Sequence, residues 1–124
     1  MAFLNDDIRD TDGLTGVADA NRLVLCNAQP TTFTEANVTF MVAFKATPTI
    51  GAPENLAGGG RKTVVSAITD GTVDSSDTVT WLALVDTVGS RIIAHRQLSS
   101  PKALTTGTPF TLPAFDIGIP GVAV

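Results

Sequence analysis

Residues 78–98 read TVTWLALVDTVGSRIIAHRQL, the clearest β signal in the chain. Val79, Trp81, Ala83 and Val85 recur at every second position, which sets them on one face of a pleated strand. The tetrapeptide Asp86-Thr87-Val88-Gly89 supplies turn chemistry, with a glycine able to adopt the left-handed backbone, and SRIIAHRQL returns as a second β-rich run. The unit reads as a β-hairpin.

The same signals extend in both directions from this hairpin. Arg22–Asn27 is an apolar run closed by Gln29-Pro30, and TTFTEA after it reads as a short helical turn or an irregular crossing. In Val38–Ala46, Val38, Phe40, Val42 and Phe44 alternate with Thr39, Met41, Ala43 and Lys45, so the aromatic face of this strand is expected to point inward. Thr47–Gly60, with Pro48, Pro53 and three consecutive glycines, has the composition of a loop. Arg61–Asp70 is β-branched and bounded by the turn dipeptide Asp70-Gly71, and Thr72–Asp77 is a polar connection. Phe110–Ile119 puts Thr111, Pro113, Phe115, Ile117 and Ile119 on one face of a peripheral strand, because Pro113 lacks a donor and suits an edge or bulge.

Six strand-like runs without an amphipathic helix of three turns predict an all-β protein, an antiparallel β-sandwich or small barrel. With 124 residues, one domain over 1–124 is expected, comprising an Asp- and Gly-rich N-terminal arm at 1–20, a core at 21–119 and an apolar C-terminal tail at 120–124. There is no internal repeat.

Composition narrows the function classes. A formal net charge of −4 provides no basic field for neutralising phosphates, so no nucleic-acid partner is expected. The start MAFLNDDIRD has no basic region followed by an apolar stretch, and no later run reaches the length of a membrane span, so a soluble chain without a membrane partner is expected. The lone Cys26 cannot form an internal disulfide and, within LVLC, reads as a small buried hydrophobe.

Catalytic inventory is thin: one histidine, one cysteine and no tyrosine. His95 lies between Arg91 and Arg96 with no acid or nucleophile near it in sequence. DDIRDTDG approaches a calcium loop, since Asp10, Asp12 and Gly13 fit the register, but Ile8 occupies its opening position and the short Asp19 its closing one. GGGRK lacks the spacing and the following helix of a phosphate loop, and Asn37-Val38-Thr39 matches a glycosylation sequon without a sign of secretion. Trp81 reads as a core residue ahead of a sugar platform, and Asp86 and Asp116 are the strand-end carboxylates a glycan hydrolase would need, though both have the setting of turn residues. No catalytic, cofactor-binding or metal-binding residue is therefore assigned, no cofactor is expected, and the chain is read as a non-enzyme.

Taken as an ordered set, LVLCNAQPTTFTEA (23–36), GGRKTVVSAITDGTV (59–73), WLALVDTVGSRIIAHRQL (81–98) and TPFTLPAFDIGIP (108–120) resemble a family of small virion structural proteins of tailed bacteriophages, notably phages of Alphaproteobacteria. The resemblance covers about residues 14–120 and brings no functional residues with it. It implies a virion protein made in the host cytoplasm, placed on the head surface ahead of the tail. The expected function is capsid decoration or cementing through the major capsid protein or other virion subunits, as a homo-trimer or dimer, with a tail, fibre or baseplate receptor-binding module as the alternative. Apolar ends, Phe3-Leu4 and IPGVAV, suit burial against a neighbouring subunit.

Overall fold

The structure, a computed structural model, describes residues 19–55 and 60–120. Strand makes up 59% and helix 7%, so the all-β class expected from the sequence is the one observed. The described chain divides into two compact units, one of residues 20–48 and 68–112, the other of residues 19, 49–67 and 113–120 as far as they are described. All but Asp19 and Ala20 of the expected arm, and all but Pro120 of the expected tail, lie outside the described residues.

The first unit is a curled antiparallel sheet of six strands, ordered β7-β6-β1-β2-β5-β8. These are β1 (Arg22–Cys26), β2 (Met41–Ala46), β5 (Ile68–Val73), β6 (Asp77–Asp86), β7 (Arg91–Leu104) and β8 (Phe110–Leu112). β1 sits centrally because RLVLC is apolar at successive positions, as a strand covered on both faces requires. Leu23, Val24, Leu25 and Cys26 all have 0% exposure. The register sets Val24 beside Phe44 and Ala83, and Leu25 beside Ala43 and Leu82. One face therefore gathers Val24, Cys26, Ala83 and Val85 with Ala36, bordered by Phe33, Phe40, Phe44 and Trp81. The other carries Leu23, Leu25, Leu82 and Leu84.

Ala36 reaches the first face because residues 33–39 are wound, ending in a π-helical turn at Glu35–Thr39. A reciprocal cap starts it: the Thr32 hydroxyl accepts from the Glu35 amide at 3.1 Å, and the Glu35 carboxylate accepts from the Thr31 amide at 3.0 Å. The turn corrects the expected strand Val38–Ala46. Pairing begins only at Met41, and Val38 is 65% exposed. The two-residue alternation also breaks at Val42, an extra residue where β1 and β2 slip, so Met41 and Phe44 border the same cluster.

The expected hairpin 78–98 is present and longer than predicted, spanning Asp77–Asp86 and Arg91–Leu104. Val79 pairs Lys102 while Trp81 pairs Gln97, so β7 bulges over Leu98–Pro101, where Pro101 has no amide to place in a ladder. The left-handed residue at the tip is Ser90, with φ of 54°, not Gly89.

Two expected strands split. Arg61–Asp70 breaks at Ser66-Ala67, and Phe110–Ile119 breaks at Pro113-Ala114, each contributing one strand to each sheet. Asp70-Gly71 is not a turn but lies inside β5. Gly71 pairs with Phe110 of β8, whose ring is 1% exposed and lies where a side chain at 71 would stand.

The second unit is a three-stranded antiparallel sheet ordered β3-β4-β9, from β3 (Glu54–Asn55), β4 (Gly60–Val65) and β9 (Phe115–Pro120). Half-buried Phe115 and Ile117 alternate with exposed Asp116 and Gly118 on this edge strand. The expected loop Thr47–Gly60 is thus partly built into the sheet, through β3 and an antiparallel bridge from Ile50 to Val65. Thr63 is fully buried and its hydroxyl donates to the Gly51 carbonyl.

Candidate functional site

The β6–β7 hairpin forms one margin of the six-stranded sheet and holds the chain's only tryptophan and histidine. Trp81 pairs with Gln97 and Ala83 with His95, so Trp81 and His95 are diagonal neighbours on one face. Their ring centroids are 5.5 Å apart with planes tilted by 60°, an edge-to-face style of packing. Trp81 is half-buried against the Val24 cluster, while His95 and Gln97 are exposed. Trp81 therefore joins the core with one edge and the surface with the other. Further along the same face, the Arg22 guanidinium lies 4.4 Å from the Phe44 ring centroid and donates to the Asn37 side-chain oxygen at 2.9 Å. The sequon asparagine is thus a structural acceptor.

At the hairpin tip, Asp86 closes the turn. One carboxylate oxygen accepts from the Val88 and Gly89 amides at 3.0 and 3.1 Å, and the other from Arg91 Nε at 3.3 Å. The Gly89 amide, with help from Arg91 and the Val88 amide, holds this carboxyl below its ordinary value. Asp77 is lowered by the Asn27 side chain and the Thr78 amide, and Glu35 chiefly by Thr31. All three shifts favour the ionised form, the opposite of what a glycosidase acid needs. Asp116, the other hydrolase candidate, is an exposed residue of β9 held by Lys62 Nζ at 3.3 Å, and Lys62 also reaches Glu54 at 3.7 Å.

Cys26 is buried, its thiol faces the Ala36 carbonyl at 3.6 Å, and burial pushes its pKa up to about 12. That is the setting of an inert thiol. Asp10, Asp12 and Gly13 of the calcium-like segment lie outside the described residues, and among the described residues no three His, Cys, Asp or Glu side chains gather to hold a metal. Of GGGRK, Gly60 and Arg61 begin β4 and no helix follows. A shallow groove of about 230 Å³ runs between residues 70–73 and 107–109 of the first unit, beside the Lys45–Asp70 ion pair at 3.0 Å. Among the described residues no helix is long and apolar enough to cross a membrane.

What the sequence concealed is the open side of β7. Among the described residues this 14-residue strand pairs only with β6, and Arg91, His95, Arg96 and Gln97 along it are exposed. The fold and this surface define an all-β antiparallel protein whose buried groups serve packing and turns, with one long strand margin that has no partner strand among the described residues. No family model, no curated protein and no solved structure matches the chain.

Proposed function

We propose that the chain is a structural protein of a tailed-phage virion, a decoration or cement protein that binds the major capsid protein and stabilises the head. The observation that carries the reading is the outer side of β7: WLALVDTVGSRIIAHRQL, the longest of the resembling segments, forms a margin that has no partner strand among the described residues and could take an added strand from a neighbouring subunit of the particle. The local uses of Asp86, Asp116 and Cys26 agree with a role in binding rather than in chemistry.

A cement protein repeats with the shell, so quantitative mass spectrometry of purified particles is expected to find on the order of hundreds of copies. A handful per particle would move the chain to the tail and overturn the decoration reading.

A further inference from the structure

We propose that the open side of β7 takes residues 4–8 of a second copy as an added antiparallel strand, so that the protein assembles with itself. Two independent observations select this occupant.

The first is charge. Residues 1–19 contain five acids and one base, a formal −4, whereas the rest of the chain contains seven of each, so this one segment carries the whole net charge. β7 is its counterpart, with Arg91, His95, Arg96 and Lys102 and no acid in 14 residues. Arg91 is engaged by Asp86 and Lys102 by the Thr111 carbonyl, which leaves the exposed Arg96 and His95 at the centre of the strand.

The second is register. Between the slip at Ile93 and the bulge beginning at Leu98, β7 is regular, running from Ala94 to Gln97 against Leu84 to Trp81. Set antiparallel to this span, Asn5 falls opposite Gln97, Asp6 opposite Arg96, Asp7 opposite His95 and Ile8 opposite Ala94, with Leu4 reaching the start of the bulge. Each directly opposed pair is apolar with apolar, amide with amide, or acid with base. A shift of one residue destroys the match, placing Asp7 against Ala94 in one direction and Ile8 against His95 in the other. A second β7 is a poorer occupant, since antiparallel pairing of the regular span 94–97 with its own copy sets Arg96 opposite His95, with no acid on either strand.

The test uses the full chain. Asn5→Cys in one preparation is mixed with Gln97→Cys in another under mild oxidation, the native Cys26 being buried. A cross-linked dimer is expected in the mixture, and at least tenfold less when Asn5→Cys is mixed with Ser99→Cys, two residues out of register. In sedimentation velocity at low salt, Arg96→Glu is expected to weaken association at least tenfold, and Asp6→Lys mixed with Arg96→Glu to recover most of it. A wild-type chain that stays monomeric, as much cross-linked dimer with Ser99→Cys as with Gln97→Cys, or charge variants that associate like wild type would each overturn the proposal. All readouts come from the isolated protein, so they fail or succeed separately from the virion reading.

Discussion

Replacing Gly71 by alanine tests the first unit at its tightest point. A Cβ built on Gly71 would lie 2.0 Å from Phe110 Cε1, 2.2 Å from Cζ and 2.3 Å from Cδ1, against an ordinary carbon–carbon approach of about 3.5–4.0 Å. The ring, which is 1% exposed, must therefore move by roughly 1.5 Å against its buried neighbours. Overpacking of a well-filled core costs about 1–3 kcal/mol, and a clash with several ring atoms belongs at the upper end, about 3 kcal/mol. Shortening the partner, as in Phe110→Leu, costs about 1–3 kcal/mol on its own through lost packing. Placed together, the methyl at 71 occupies volume that the ring vacates, so the double variant should be more stable than the sum of the two losses by at least 1 kcal/mol. Urea unfolding of the four proteins followed by far-ultraviolet dichroism measures all three numbers. A Gly71→Ala cost under about 0.5 kcal/mol, or strict additivity in the cycle, would refute the close approach.

Further expectations follow from the same structure. Asp86 has a folded-state carboxyl below its ordinary 3.8, so its contribution is present above that pH and is lost as pH falls through the lower folded value; Asp86→Asn should flatten the fall in Tm on acidification below 3.8, and parallel curves would contradict the turn network. Cys26, with a thiol raised from 9.0 to about 12, should react with a thiol reagent at pH 8 about a thousandfold more slowly folded than in urea, and equal rates would show that it is not buried. Thr63→Val removes the hydroxyl that donates to the Gly51 carbonyl and should cost about 0.5–1.5 kcal/mol, read by chemical denaturation, whereas a neutral result would remove that bond from the second sheet.

The parts of the fold legible in the sequence are those where local pattern and tertiary role agree. The hairpin was readable because Trp81, Ala83 and Val85 alternate and Asp86 begins a turn whose amides bind its carboxylate. Arg22–Cys26 was readable because an uninterrupted apolar run has few places other than the centre of a sheet. Val38 and Phe40 misled because the same alternating letters suit a wound segment once the Thr31–Glu35 cap closes and Ala36 is drawn over Val24. Asp70-Gly71 misled for a different reason. The glycine serves a neighbour, Phe110, about forty residues away, and no local signal announces a long-range close approach. The candidate surface was the least legible of all, since exposure of one side of β7 depends on where every other strand ends in the sheet order. His95 and Arg96 could be named from the sequence, but not their place on an open margin.

The claim that the chain coats a phage head is tested most directly by a particle reconstruction at a resolution sufficient to separate capsomers from protruding domains. Density of about 13 kDa per copy, matching the 12.8 kDa chain, is expected to repeat over the outer head surface with the β7 margin toward a neighbouring subunit. A bare head, with this chain confined to the tail or missing from the particle, would contradict it.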